Sequence, residues 1–359
     1  MKILQAIFSL GIGGAESFVI DLCNELCIDN DVTLCVIQDD RIKANVCQKS
    51  KLNNKVRYVN LGCRKGYTIN GFLKFYKLIK EIKPDVVHAH LCGLMLVLPS
   101  LFLRKSKYIF TIHNLVNIAV HGKFEKKIYG YLFKKKYVRP VTISKLCYDS
   151  YTNFFGRNDS IKIDNGISLP VLSEKFLDVK NEINSYKIHD DDLVFIHAAR
   201  CSKQKNQDLL IDTFNKLEDE HVILLVLGTN FDTVGKSLKD RANKNIYFLG
   251  EKINMGDYLA NSDYFVLSSN FEGLPISLLE AMALKLIPVC TPVGGIPDVI
   301  TNDKIGFLSK DVEAINFELT VRNAIHNTCK IDRNSIFDVY QRKFSMTTCA
   351  NKYMDLYNE

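Results

Sequence analysis

The stretch "YFVLSSNFEGLPISLLEAMALKLIPVCT", residues 264–291, has the pattern of a strand, a helix and a second strand. Its ends, "YFVLSS" and "LIPVCT", are short apolar runs typical of buried strands, and "PISLLEAMALK" between them has the length of a helix. Two strands joined by a helical crossover lie parallel in one sheet. The stretch therefore predicts one unit of a parallel sheet that is covered by helices.

The same alternation recurs along the chain. Strand-like runs occupy 2–9, 32–38, 56–61, 85–90, 108–113 and 141–144, and then 193–199, 222–228, 246–250, 264–269 and 286–291. A polar passage at 178–192 separates the two series. This pattern predicts an α/β fold of two doubly wound, Rossmann-like parallel-sheet domains, one over residues 1–170 and one over 171–344. Open parallel sheets bind ligands at the carboxyl ends of their strands, so we expect the two domains to face a central cleft.

Composition indicates a folded, water-soluble chain. The 359 residues are 47% hydrophobic and 24% charged, close to the average for globular proteins. The eleven cysteines include no C-x-x-C pair, which favours reduced core thiols in a cytoplasmic protein over a zinc site. The longest apolar run, at 93–103, is too short to span a bilayer.

A basic segment covers residues 123–139, with seven Lys or Arg against Glu125. Phe124, Ile128, Tyr131 and Leu132 follow helical spacing there, which predicts that they share one face of a helix. The segment is either a solvated surface helix or one that meets anionic lipid head groups at the inner face of the cell membrane. No zinc-finger or RNA-binding signature accompanies it, so we expect no nucleic-acid partner.

Two carboxylates stand in the apolar stretch quoted first. Glu272 precedes Pro275, which we expect at the first position of the helix, and Glu280 lies five residues into that helix. A carboxylate in such surroundings has to be paired or hydrogen-bonded. Sugar and ribose hydroxyls suit it, because one carboxylate accepts two of them. The alternative for Glu280 is a structural carboxylate bonded to a backbone group or an Arg, and the alternative for Glu272 is a solvated loop position.

Two further clusters follow strands. Gly11, Gly13 and Gly14 lie between the first strand and a helix, where backbone amides bind anions, although a tight turn explains them equally well. Arg200 and Lys205 follow the first strand of the second domain. Two cations and helix amides at that position suit a diphosphate.

These motifs resemble a known family. "EGLPISLLEAMA" resembles the E-x7-E signature of retaining glycosyltransferases of family 4, which have the GT-B fold. "GIGGAES", "KPDVVHAHL", "TIHN", "AARCSKQKNQDLL" and "TPVGGIPDVI" are similar to other segments of that family, so the resemblance covers nearly the whole chain. One departure is Asn206, at a position where the family commonly has glycine.

The resemblance implies a role for each motif residue. Arg200 and Lys205 would bind the donor diphosphate, with Gly13 and Gly14 facing it from the other domain. Glu272 and the amides of Gly273, Leu274 and Pro275 would hold the transferred sugar, Glu280 the ribose, and Glu251 the base through its backbone. His113 would lie beside the reacting sugar in a positioning role, which makes Glu272 and His113 the candidate catalytic residues. The C-terminal helix, 345–359, would pack back on the first domain.

The function implied is transfer of a sugar, with retention at its anomeric carbon, from a nucleoside-diphosphate sugar to a lipid-linked surface glycan such as an O-antigen or capsule. UDP is the expected nucleotide. No metal or other cofactor is expected, and "HDDD" at 189–192 is interpreted as a solvated turn. A nucleotide-sugar epimerase of the same fold and a non-catalytic nucleotide-sugar-binding subunit are the alternatives. A scaffold on the membrane surface would need only the basic segment.

Overall fold

The computed structural model describes residues 1–11, 13–42, 48–64, 68–91, 94–103, 106–120, 122–327 and 331–359. Every residue predicted for the site lies in these ranges. The chain divides into two compact units, Met1–Ser168 with Phe344–Glu359 and Leu169–Lys343.

Thirteen strands are formed by the described residues: β1 Lys2–Ile7, β2 Asp31–Gln38, β3 Arg57–Cys63, β4 Val86–His90, β5 Lys107–Ile112, β6 Arg139–Thr142, β7 Ile161–Lys162, β8 Leu193–Ala198, β9 Val222–Leu227, β10 Ile246–Gly250, β11 Tyr264–Leu267, β12 Ile287–Cys290 and β13 Phe307–Leu308.

The α-helices of the described residues are α1 Gly14–Leu26, α2 Ile69–Ile82, α3 Leu94–Val97, α4 Val116–Ala119, α5 Gly122–Lys134, α6 Lys145–Phe155, α7 Phe176–Tyr186, α8 Gln207–Asn215, α9 Lys236–Arg241, α10 Met255–Ala260, α11 Ile276–Ala283, α12 Ile296–Val299, α13 Ala314–His326, α14 Arg333–Val339 and α15 Met346–Asn358. Short 3-10 helices cover Lys49–Lys51 and Leu98–Leu103, and one π-helical turn covers Tyr340–Phe344.

The first unit contains a seven-stranded sheet in the order β3-β2-β1-β4-β5-β6-β7, and every pair of neighbours is parallel. The chain starts in the middle at β1, winds outward to β3, and then returns to β4 and winds the other way. Such a reversal between β1 and β4 is the place where doubly wound sheets bind ligands.

Both faces of this sheet are buried, because successive strand residues point to opposite sides. Leu4 belongs to one hydrophobic core cluster and its neighbour Ile3 to the other. The cluster around Ile3 includes residues of α1 and α15, among them Tyr353 and Tyr357. The C-terminal helix α15 therefore completes the core of the first unit. Its N-cap, Ser345, accepts a hydrogen bond from the backbone N–H of Thr348.

The second unit contains a six-stranded parallel sheet in the order β10-β9-β8-β11-β12-β13. The chain again starts in the middle, at β8, and reverses between β8 and β11. The predicted fold class of two doubly wound parallel sheets is confirmed. The sequence pattern did not identify β7 and β13, because each has only two residues at a sheet edge and carries no alternation of its own.

The predicted apolar face of the basic helix is buried only in part. Helix α5 buries Tyr129, Leu132 and Phe133, whereas Phe124 is 71% exposed and Tyr131 is 53% exposed. The side chains that cover the sheet are thus rotated around the helix from the predicted set. Within the described ranges, no helix is long and apolar enough to cross a bilayer.

Candidate functional site

Two loops at the carboxyl edge of the second sheet are joined by hydrogen bonds. One loop connects β8 to α8, and the other connects β11 to α11, from the neighbouring strand. The backbone N–H of Asn270 donates to the carbonyl of Gln204 (2.8 Å), and its side-chain amide donates to the carbonyl of Lys203 (2.9 Å). Gln204 Nε2 donates to the carbonyl of Phe271 (3.0 Å). These bonds hold the predicted cationic loop against the predicted acidic loop.

The conformation of Asn206, in the first loop, explains why asparagine can replace the glycine that is common in the family. It is the N-cap of α8 and has φ 50° and ψ 50°, in the left-handed region. Glycine adopts this conformation freely, and asparagine is among the few other residues that tolerate it. Its side chain also donates to Asn270 Oδ1 (3.2 Å), so asparagine adds a link between the loops that glycine could not make.

Lys205 and Glu272, which were predicted separately, form one ion pair. Lys205 Nζ lies 2.7 Å from Glu272 Oε1, and Ser269 Oγ donates to the same oxygen at 2.5 Å. Glu272 is 4% exposed, so its charge requires these partners. Oε2 has no partner among the residues that the structure describes. The glutamate therefore offers a fixed acceptor to a ligand hydroxyl.

Arg200 is exposed and is the second residue after the end of β8, and its guanidinium makes no ion pair within the described part of the chain. Its backbone is held in place: Gln207 Nε2 donates to its carbonyl at 3.1 Å and also lies 3.2 Å from His197 Nε2. Burial lowers the pKa of His197 to about 4, so this ring is neutral. The result is a free cation on an ordered loop, beside the partly engaged Lys205.

The turn at Gly273 is supported by a second pair of glycines. Gly295 N–H donates to the carbonyl of Gly273 at 2.7 Å. A Cβ at Gly294, which has φ +60°, would lie 1.8 Å from the carbonyl oxygen of Glu272. By contrast, a Cβ at Gly273 would meet nothing within 4 Å. The glycine pair thus positions the turn, and Gly273 presents its backbone to open space.

Two neighbours of this turn behave differently from the prediction. Helix α11 begins at Ile276, so Pro275 is its N-cap and not its first residue. Proline has no N–H, and the Pro275 carbonyl already accepts from Leu278 and Leu279. The predicted contact of a ligand with a Pro275 amide is therefore wrong. Leu274 is buried, and only its backbone is a candidate for ligand contact.

The nucleoside candidates also lie in the second unit. Glu280 is half-buried on α11, and Glu251 is exposed directly after β10. Glu251 follows β10, and Glu280 lies on α11, which follows β11 of the same sheet. Their assignment to ribose and base stays a prediction.

In the first unit, Gly13 is the N-cap of α1, and Gly14 is the first residue of that helix. The predicted anion site is partly occupied by the chain itself. A Cβ at Gly13 would lie 2.3 Å from Glu16 Oε2, so this carboxylate folds over the loop, and burial raises its pKa. Gln48 holds the loop from the other side, because its Nε2 donates to the carbonyl of Gly11 at 2.8 Å. Neither Glu16 nor Gln48 was among the residues predicted for the site.

His113 follows β5 and ends a chain of buried hydrogen bonds. Its Nε2 lies 2.9 Å from His90 Nδ1, and His90 Nε2 lies 2.8 Å from Gln5 Oε1. Gln5 Nε2 donates to Tyr357 Oη of α15 (3.2 Å), which lies 2.7 Å from His88 Nδ1. We call Gln5, His88, His90, His113 and Tyr357 the histidine cluster.

The hydrogen bonds of the cluster fix its tautomers. Because Gln5 Oε1 faces His90 Nε2, that nitrogen carries the proton and His90 Nδ1 accepts. His113 must then donate from Nε2, which leaves its Nδ1 as an acceptor. This buried Nδ1 has no hydrogen-bond partner among the described residues.

Burial lowers the pKa of His113 to about 3 and lowers the pKa values of His88 and His90 well below the usual range. All three rings are thus neutral near pH 7. A base with so low a pKa is too weak to take a proton from a hydroxyl at that pH. The geometry therefore suits His113 to hydrogen bonding and positioning.

The "HDDD" segment is more ordered than a solvated turn. Asp192 is buried, and its Oδ2 accepts from the backbone N–H groups of Ile188 and His189 (2.7 and 3.0 Å). Asp191, Asp192 and His221 each offer one potential metal-ligand atom, and these atoms lie within 4.8 Å of one another, a geometry that could hold a metal ion. This cluster precedes β8, at the opposite end of the strand from Arg200. Any ion there would lie about 20 Å from the candidate site, given about 3.3 Å per strand residue.

Two doubly wound sheets, with a cation pair and a buried glutamate at the carboxyl edge of the second, define a GT-B type of sugar-nucleotide enzyme. Family models agree with this class. Residues 12–169 match the model "Glycosyltransferase Family 4", and residues 178–342 match "Glycosyl transferases group 1". The chain belongs to the glycosyltransferase family that these two models describe.

Several known proteins are similar. A glycosyltransferase of Methanocaldococcus jannaschii, described as uncharacterized, is 29% identical over 61% of this chain and 58% of its own length, so the match spans less than two thirds of that relative. The capsular polysaccharide biosynthesis glycosyltransferase CapH of Staphylococcus aureus is 26% identical over 78% of each chain. The O-antigen biosynthesis glycosyltransferase WclY of Escherichia coli is 22% identical over 100% of this chain and 98% of its own.

Among solved structures, Anabaena HepE in complex with UDP has a TM-score of 0.82 and 18% identity, and the match covers 100% of both chains. At this identity the similarity supports the fold alone.

Proposed function

We propose that the protein transfers a sugar from a UDP-sugar to a hydroxyl of a growing lipid-linked surface glycan, such as a capsule or O-antigen, with retention at the anomeric carbon. The observation that carries the proposal is the buried Lys205–Glu272 pair beside the free Arg200. The names of CapH and WclY support the class of product, and the UDP bound to HepE supports the nucleotide.

Arg200 and Lys205 would bind the diphosphate of the donor. As the bond between the anomeric carbon and the diphosphate oxygen breaks, negative charge grows on the phosphate oxygens. Two cations placed beforehand stabilise that charge more in the transition state than in the ground state. Lys205 has three N–H donors and gives one to Glu272, so two remain for phosphate.

Glu272 would orient the transferred sugar. Oε1 is held by Lys205 and Ser269, and Oε2 accepts from sugar hydroxyls. The open space at Gly273 lets the sugar approach the backbone of the turn, and Glu280 would accept from the ribose hydroxyls. His113, neutral and with an unused acceptor at Nδ1, would position a hydroxyl group of the sugar.

Retention follows if the acceptor hydroxyl attacks from the face that the diphosphate leaves. One C–O bond breaks, one forms, and the hydroxyl proton passes to a phosphate oxygen. This scheme needs no protein nucleophile. We include no metal ion in the mechanism, because the two cations would neutralise the diphosphate.

We place the reaction in the cytoplasm, where nucleotide sugars would be available. The eight cysteines in the described part of the chain are all buried and free, which suits a reducing compartment.

The test is turnover of a panel of UDP-sugars with lipid-linked glycan acceptors, followed by UDP release and by NMR of the new anomeric centre. The proposal predicts acceptor-dependent UDP release and an unchanged anomeric configuration. Lys205→Met should lower the rate at least 100-fold, whereas the exposed neighbour Lys203→Met should leave it within about twofold. UDP release with conversion of the sugar and without acceptor would support the epimerase. Binding without turnover would support the non-catalytic subunit.

A further inference from the structure

Three polar residues lie at the amino edge of the second sheet, at the opposite end of the strands from the candidate site. Asp192 immediately precedes β8, His221 immediately precedes β9, and Asn245 immediately precedes β10. These three strands are neighbours in the order β10-β9-β8. Backbone hydrogen bonds join their starts, from Leu193 N–H to the carbonyl of His221 (2.8 Å) and from Leu224 N–H to the carbonyl of Asn245 (2.9 Å). The sheet therefore brings together three residues that are far apart in sequence.

The three residues line one polar cavity with a volume of about 220 Å³. Its lining, as far as the described residues form it, also contains the three consecutive carboxylates of residues 218–220 and one lysine, Lys244. Four carboxylates with Asp192 exceed that single positive charge. The cavity is therefore acidic, and an acidic concave surface attracts cations.

The imidazole of His221 faces two carboxylates. Its Nδ1 lies 3.2 Å from Asp191 Oδ1 and 3.8 Å from Asp192 Oδ1. Two ligand atoms that each lie about 2.1 Å from a tetrahedral ion are about 3.4 Å apart, so these two distances bracket the value expected around a shared ion. The His189 ring stacks on the His221 ring, with centroids 4.4 Å apart, and so restricts its orientation.

Asn245 gives an independent indication that this cavity holds a ligand. Its side chain is fixed, because it is 6% exposed and its Nδ2 donates to the carbonyl of Glu218 at 3.2 Å. Its Oδ1 is buried and has no hydrogen-bond partner in the part of the chain that the structure describes. A buried amide oxygen without a partner is unfavourable. A cation bound in the cavity would provide that partner.

We propose that Asp191, Asp192, His221 and Asn245 bind a divalent transition-metal ion such as Zn²⁺, and we call these four residues the amino-edge site. One imidazole nitrogen with three oxygens suits zinc and its first-row neighbours, whereas Mg²⁺ and Ca²⁺ prefer oxygen ligands alone. The ion would join the starts of β8, β9 and β10 and so stabilise the second unit. No step of sugar transfer runs through it, so this inference and the proposed function can fail separately.

The test is calorimetric titration of the full chain, freed of metal by dialysis against EDTA, with Zn²⁺ and separately with Mg²⁺. The wild type should bind one Zn²⁺ at the amino-edge site, and Mg²⁺ should not compete at equal concentration. At 100 times its Kd, Zn²⁺ should raise the Tm of the second unit by about 5–10 °C.

Two ligand variants are compared with a matched control. Asp191→Asn and His221→Gln should each weaken Zn²⁺ binding at least about tenfold, because losing even a group that only supports a zinc ligand costs about 10- to 100-fold. These side chains are 79% and 54% exposed, so both variants should fold. His326→Gln changes an exposed histidine elsewhere in the same unit and should leave the Kd within about twofold. Equal weakening in His326→Gln and His221→Gln would overturn the proposal.

A further variant tests Asn245 directly. Asn245→Asp replaces the unpartnered amide oxygen by a charged carboxylate oxygen, which should tighten Zn²⁺ binding by about threefold or more. X-ray absorption at the zinc edge should then show imidazole and oxygen ligands at about 2.0–2.2 Å in the wild type. Unchanged or weaker binding in Asn245→Asp, or a zinc spectrum without imidazole, would overturn the site as proposed.

Discussion

Replacing Tyr357 by phenylalanine removes one hydroxyl from the histidine cluster and leaves the ring in place. That hydroxyl accepts from Gln5 Nε2 at 3.2 Å and lies 2.7 Å from His88 Nδ1. All three side chains are fully buried, so water cannot replace the lost group. Each buried polar atom left without a partner costs about 1–3 kcal/mol, and the two atoms together about 2–6 kcal/mol.

The measurement is calorimetric unfolding of the wild type and of Tyr357→Phe. One kcal/mol shifts the Tm of a unit of 150–250 residues by about 2–4 °C, so we expect the transition of the first unit to fall by about 4–24 °C. Tyr131→Phe, whose ring is half-exposed, should move it by less than about 2 °C. Equal shifts in the two variants would refute the claim that α15 is tied to the sheet through this cluster.

Three other predictions concern backbone packing, charge and pH. Gly294→Ala should lower the free energy of unfolding of the second unit in urea by about 2–5 kcal/mol, because the new Cβ would meet the Glu272 carbonyl. Gly250 also has a positive φ but lies in open space, so Gly250→Ala should lower it by only about 1–2 kcal/mol. Equal losses of stability in the two variants would contradict this reasoning. Glu272→Gln should lower kcat/KM for the UDP-sugar at least 100-fold yet leave the Kd for UDP within about threefold. The variant removes the carboxylate that accepts hydrogen bonds from the sugar hydroxyls, and it frees Lys205 from its ion pair. A parallel loss of UDP binding would contradict this reasoning. The first unit should be fully stable above about pH 6.5, and below that pH its free energy of unfolding should fall by up to about 4 kcal/mol per pH unit. The reason is that His88, His90 and His113 stay neutral in the folded state while the unfolded chain takes up protons. A free energy of unfolding that stays constant down to pH 5 would show that these rings are not neutral in the folded state.

Much of the fold was predictable from the sequence, because each long strand is a compact apolar run and the connections have helical length. Which face of α5 is buried was not. Phe124 and Ile128 fit a helical stripe as well as Tyr129 and Phe133 do, and only the packing against the sheet selects between them. Periodicity alone gives a face, but tertiary contacts decide which face is buried.

The candidate site was predictable in its charged residues and less so in their supports. Arg200, Lys205 and Glu272 stand out because charged side chains are rare next to buried strands. Their arrangement into one ion pair depends on two loops that are far apart in sequence. Ser269, Gly294 and every member of the histidine cluster except His113 were missed for the same reason. The "HAH" of β4 places two histidines on one face of a strand and was a usable signal.

The central claim is that the second unit binds a nucleoside diphosphate through Arg200 and Lys205. The most direct measurement is thermal stabilisation by UDP, compared among the wild type, Arg200→Ala and the matched variant Lys203→Ala from the same loop. At 100 times its Kd, UDP should add about 2.7 kcal/mol to the wild type, a Tm shift of about 5–10 °C. The claim predicts that Lys203→Ala keeps this shift and that Arg200→Ala loses most of it. An equal shift in all three proteins, or no shift in any across UDP, GDP and ADP, would contradict it.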